Sequence, residues 1–166
     1  MKKFLTLLLT TAIAFLSLSA CTTIAKVLNP LKLNDTIKCT DATIKTSTQS
    51  YVITPAGFDF EELNNRGYKM SIKITYDVYY TKAWNVLGDI GYLGAPKYEV
   101  CILDDDLVGN MEANVTAPST SKTKTITYTT NIVNLIGSKV FLTFSSDNIQ
   151  NEIHFENISV AYNCYK

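Results

Sequence analysis

The sequence predicts an all-β fold: an antiparallel β-sandwich of about eight strands, with one short helix near residues 59–65. Three observations predict it. Residues 68–80 alternate strictly between apolar and polar, the pattern of a strand with one wet face. Similar segments recur at 8–15-residue spacing with turn residues between them. The composition is rich in residues that suit a pleated surface, with 21 Thr and 10 Tyr.

The elements follow in chain order. Residues 36–46 and 50–54 read as the first two strands, the second stopped by Pro55-Ala56-Gly57. In residues 59–65, Asp59 stands at the N-cap position, Leu63 lies one turn on, and Gly67 follows the end, which marks a short capped helix. In the long strand, Tyr68, Met70, Ile72, Ile74, Tyr76, Val78 and Tyr80 share one parity and form the expected core face. Lys69, Ser71, Lys73, Thr75, Asp77 and Tyr79 share the other. At ~3.3 Å per residue such a strand is about 43 Å long, so a bend or bulge is expected. Tyr98, Val100 and Ile102 alternate with Glu99, Cys101 and Leu103. Strands at 110–116, 122–130 and 138–145 come next. In the closing segment, 153–164, the apolar parity changes: Ile153 and Phe155 precede Ile158, Val160, Tyr162 and Cys164. One extra residue near Glu156-Asn157 restores a single inward face, which is what a bulge does.

The run Asn131-Ile132-Val133-Asn134-Leu135-Ile136-Gly137-Ser138-Lys139-Val140-Phe141-Leu142-Thr143-Phe144, followed by Ile153-His154-Phe155-Glu156-Asn157-Ile158-Ser159-Val160, resembles the end of galactose-binding-like jelly rolls. The resemblance implies a jelly-roll-like sandwich and a family that commonly binds carbohydrate. It records core packing and a tight turn, and carries over no ligand residue. In many jelly rolls the first and last strands are neighbours, which makes Cys39 and Cys164 a candidate disulfide.

Residues 1–20 stand apart from the fold. Lys2 and Lys3 precede an apolar run from Phe4 to Leu18, the form of a signal peptide and too short for a comfortable membrane span. Leu18-Ser19-Ala20-Cys21 resembles the lipobox of bacterial lipoproteins. The resemblance implies cleavage before Cys21, a diacylglycerol on its thiol, and export to a cell membrane or outer membrane. Two or more acyl chains give stable anchoring. Residues 21–34 then form a short tether, with a reach of at most about 45 Å, before a single β-domain at 35–166.

The full chain carries 15 basic and 15 acidic side chains. Loss of Lys2 and Lys3 turns it mildly acidic, which argues against a nucleic-acid partner. Its partners are expected to be the bilayer through acylated Cys21, and a glycan or an envelope protein.

No catalytic or nucleotide-binding motif is present, and His154 is the one histidine, so no enzyme and no cofactor are expected. Asp104, Asp105 and Asp106 have the chemistry of a Ca²⁺ site, but the run also reads as a solvated strand end, and no metal is assigned. The segment 79–98 reads as a loop and holds Tyr79, Tyr80, Trp84, Tyr92 and Tyr98 among Gly88, Gly91 and Gly94. Tyr79, Trp84 and Tyr92 are candidate platforms for sugar rings, with Asp89 to bond hydroxyls. Aromatic packing of the loop onto the domain is the plainer alternative.

Overall fold

The computed structural model describes residues 30–82, 95–103, 108–148 and 151–166. The chain partitions after Leu31, and the sandwich occupies Lys32–Lys166. Among the described residues it has nine strands: β1 (Asn34–Lys38), β2 (Ala42–Ile44), β3 (Thr46–Val52), β4 (Lys69–Lys82), β5 (Lys97–Leu103), β6 (Val108–Thr116), β7 (Lys122–Asn131), β8 (Phe141–Asp147) and β9 (Asn151–Tyr165). Helix α1 (Phe60–Asn65) precedes β4, and a 3-10 turn (Ile132–Leu135) follows β7. No described helix is long and apolar enough to cross a membrane.

One sheet has the order β1-β9-β4-β7, with β2 also on β9; the other has the order β3-β8-β5-β6. Every pairing is antiparallel. The pairs nest: β5 with β6, β4 with β7, β3 with β8, and β1 and β2 with β9. A long antiparallel hairpin has been rolled until β9 meets β4 and β8 meets β5. That is the connectivity of a double-sheet jelly roll.

The core lies between the sheets. Met70, Ile72, Ile74, Tyr76 and Val78 of β4 are fully buried, as their parity predicts. Tyr76 and Phe155 from one sheet meet Tyr98 and Phe144 from the other. The closest rings, Phe144 and Phe155, are 4.4 Å apart between centroids. Burial pushes the phenol of Tyr76 well above its ordinary range and raises that of Tyr98, and their hydroxyls lie 3.3 Å apart.

The expected bulge is present. Thr75 pairs with Ser159 and Asp77 with Glu156, so Asn157 and Ile158 together face Tyr76. Asn157 adopts φ 53°, the left-handed region that Asn tolerates better than most residues. Ile153, Phe155, Ile158, Val160, Tyr162 and Cys164 consequently all point inward. The helix also forms as its sequence predicts. Asp59 accepts from the Glu62 backbone N–H at 3.0 Å. Gly67, at φ 76°, ends the helix: its N–H donates to the Asn64 carbonyl and that of Tyr68 to Leu63.

Three expectations need correction. The single strand over 36–46 is three pieces, because the chain breaks at residues 39–41 and changes sheet at Lys45. The loop over 79–98 is shorter than expected: β4 runs on to Lys82, and Tyr98 is a core residue of β5. The Cys39–Cys164 disulfide is absent, and both are free thiols. Their strands are neighbours, but Cys39 donates its backbone N–H to Ile158 while Cys164 donates to Leu33. That register separates them by about 20 Å along β9 at ~3.3 Å per residue, against the roughly 4.4–6.8 Å a disulfide spans.

Candidate functional site

Period-two alternation sends one parity of β4 and β9 into the core and the other onto the outer face of the sheet. On that face Tyr79 sits directly across from His154, and Asp77 across from Glu156. The Tyr79 and His154 rings stack, with centroids 4.8 Å apart and planes within 13°. The Tyr79 hydroxyl donates to Glu156 Oε1 at 2.7 Å. This bond favours the neutral phenol and raises its pKa above the usual tyrosine value.

His154 is held at both ring nitrogens. Thr43 Oγ1, from β2, lies 3.1 Å from Nδ1, and Thr81 Oγ1, from β4, lies 2.9 Å from Nε2. The donor and acceptor roles at the two nitrogens follow the state of the ring.

Beside this pair the bulge aims a second group outward. Asn157 Nδ2 donates to Asp77 Oδ2 at 2.8 Å, and the Thr123 hydroxyl donates to Asp77 Oδ1. These bonds, Thr123's foremost, hold the Asp77 carboxyl below the ordinary carboxylate value. The Asn157 backbone N–H donates to Asp41 Oδ1 at 3.0 Å, which docks the break between β1 and β2 against the bulge. The outer face thus carries a fixed aromatic pair flanked by two carboxylates, an amide and several hydroxyls. Such a surface can stack on an apolar ring face and exchange hydrogen bonds with hydroxyl groups.

A concavity lies on the other sheet. It is a cleft of about 280 Å³ lined by Lys97, Tyr98, Glu99, Asn114, Ser145, Ser146 and Asp147. Among the described residues, no three His, Cys, Asp or Glu side chains converge as a metal site.

Of the residues singled out from sequence, Tyr79 lies in this patch. Trp84, Asp89 and Tyr92 lie outside the described residues, as do Cys21, the leader 1–20, most of the tether, and Asp104, Asp105 and Asp106. Cys39 lies in the break between β1 and β2, its N–H bonded to the Ile158 carbonyl beside the bulge, and Cys164 lies near the far end of β9. Sequence reasoning did not assign Asp77, Glu156, Asn157, Thr43 or Thr81 to a site. The parity change in 153–164 was the available signal, since it fixes which residues of β9 face out.

No protein-family model matches the chain, and no curated protein matches it. Among solved structures it is similar to a chain in the structure of infectious bursal disease virus Gx strain, with a TM-score of 0.31 and 7% identity. The match covers 79% of this chain and 36% of the viral one, so this chain spans well under half the viral chain's length.

Proposed function

We propose that this chain is a lipid-anchored module of a bacterial cell envelope that binds carbohydrate without catalysis, through the Tyr79–His154 patch. The observation that carries the reading is the stacked aromatic pair, fixed on the wet face by Glu156 and bordered by Asp77 and Asn157. In the sequence, Trp84 comes two residues after Lys82, the last residue of β4. Resemblance to galactose-binding-like jelly rolls supports the same ligand class. The non-catalytic part rests on His154: it is the one histidine in the chain, two threonine hydroxyls occupy its nitrogens, and among the described residues no carboxylate bonds to either. Anchoring rests on Leu18-Ser19-Ala20-Cys21.

A second reading, an accessory envelope lipoprotein that contacts protein partners and binds no small molecule, is favoured by one observation. The hydroxyl, imidazole and carboxylate groups of the patch already bond to one another.

A glycan array separates the two. Binding that is lost in Tyr79→Ala and in Trp84→Ala, with thermal stability retained, supports the carbohydrate module; silence on every glycan refutes it. Labelling with radioactive palmitate tests the anchor: incorporation is expected in the wild type and absent in Cys21→Ala, and equal incorporation in both refutes it.

A further inference from the structure

Every open β-sheet has two edges, and each is a template for another strand unless it is blunted by shortness, bulges or charge. The two sheets here have four edges. In the first sheet, one edge is β1 and β2, short and interrupted, and the other is β7, which carries Lys122 and Lys124. In the second, β6 is irregular: its register against β5 shifts twice, and Asn114 adopts φ 56°. The remaining edge is β3, Thr46–Val52, with the sequence TSTQSYV. It is seven residues long, has no charge and no proline, and pairs with β8 without a register shift. All its residues but Tyr51 are exposed.

The direction of its free groups follows from the register. Ile53 donates its N–H to Val140 at 2.8 Å, which makes 53 and 140 a hydrogen-bonded pair. Alternation then assigns Tyr51, Gln49 and Ser47 to bonds with β8, and turns the N–H and C=O groups of Thr46, Thr48, Ser50 and Val52 outward. Among the described residues, no backbone partner meets these outward groups. The Ser50 carbonyl takes a long bond, 3.4 Å, from the neighbouring Gln49 side chain.

We propose that β3 pairs antiparallel with β3 of a second copy of this chain, about a two-fold axis at Gln49. This register joins outward groups to outward groups: Thr48 to the mate's Ser50, and Thr46 to the mate's Val52. It makes about eight backbone hydrogen bonds. No charge opposes a like charge across it. Gln49 faces its own mate in a non-bonded pair, where one amide donates to the other and accepts in return. The merged sheet has eight strands and ends on two copies of the irregular β6 edge. Growth therefore closes at a dimer, the commonest symmetric assembly, and does not continue as a filament.

Charge exchange tests the pairing, using the full chain in mild detergent. The double variant Thr48→Lys/Ser50→Lys sets lysine directly against lysine in the proposed register, and Thr48→Glu/Ser50→Glu sets glutamate against glutamate. Thr48 and Ser50 are both solvent-exposed, so each variant keeps the wild-type thermal stability of its monomer. Sedimentation is expected to show a wild-type dimer, at least tenfold weaker dimerisation of each variant alone, and a restored dimer when the two are mixed. As a second variant, Gln49→Cys brings Cα atoms about 4.5 Å apart across the axis, within disulfide reach, and is expected to give a covalent dimer on mild oxidation. A wild-type monomer at every concentration overturns the proposal. So do charge variants that dimerise as well as wild type, or a mixture that stays monomeric.

Discussion

At the scale of single residues, burial and the strand register decide what each side chain does. Tyr162 is buried, and its hydroxyl donates to the Ile53 carbonyl, across the core from its own strand. The Ile53 N–H bonds to Val140, but the Val140 N–H turns to the Thr54 hydroxyl. The Ile53 carbonyl therefore depends on Tyr162, and Tyr162→Phe is expected to cost about 1–3 kcal/mol in a denaturant titration. Asp77 gives a pH dependence with a definite sign. Its carboxyl is held below the ordinary value of 3.8 by Thr123 and Asn157. As the pH falls below 3.8, the unfolded chain takes up a proton that the native chain does not, so stability falls with pH. Asp77→Asn is expected to flatten this acid limb of the stability curve, and an unchanged limb counts against the assignment. Tyr79 was legible as a candidate because the segment 79–98 gathers aromatics among glycines. Glu156 and Asp77 were not, because their partnership depends on which residues of β9 oppose β4.

Elements depend on features of different visibility. The long strand β4 and the β9 bulge were legible from alternation alone, since a parity change inside an apolar strand has few other physical solutions. The division of 36–46 was not. No Gly or Pro punctuates it, and the break at 39–41 is a tertiary effect: Asp41 docks on the backbone N–H of Asn157, which the bulge turns outward. The sheet change at Lys45 likewise follows from β2 pairing with β9 while β3 pairs with β8. The extension of β4 to Lys82 was hidden because Tyr79, Tyr80 and Trp84 together read as an aromatic loop. The short helix α1 is secured by its packing more than by its length, since six residues are too few for a helix to be stable alone. Leu63, fully buried, is its anchor. Leu63→Ala is expected to destabilise the domain by about 2–5 kcal/mol, and Asp59→Ala by about 1 kcal/mol through loss of the cap.

For the whole molecule, stability comes from packing between two sheets and not from a covalent bridge. Cys39 and Cys164 are free thiols with pKa values raised by burial. A reducing agent is therefore expected to leave the melting temperature unchanged, and a clear drop contradicts the register described above. The buried phenols of Tyr76, Tyr98 and Tyr162 limit the fold at high pH. Burial raises each above the ordinary value of 10.0. Above that pH the unfolded chain loses phenolic protons that the native chain keeps, so stability falls as the pH rises further. Unfolding followed by circular dichroism and phenolate absorbance is expected to set in together above pH 10. The proposed binding of carbohydrate places the ligand on the wet face of β4 and β9 at Tyr79. Amide chemical-shift mapping of the protein titrated with a glycan that it binds decides this. Perturbations centred on Tyr79, Thr81, His154 and Glu156 are predicted. Perturbations centred on the cleft at Glu99 and Asp147, or none in the patch, contradict it.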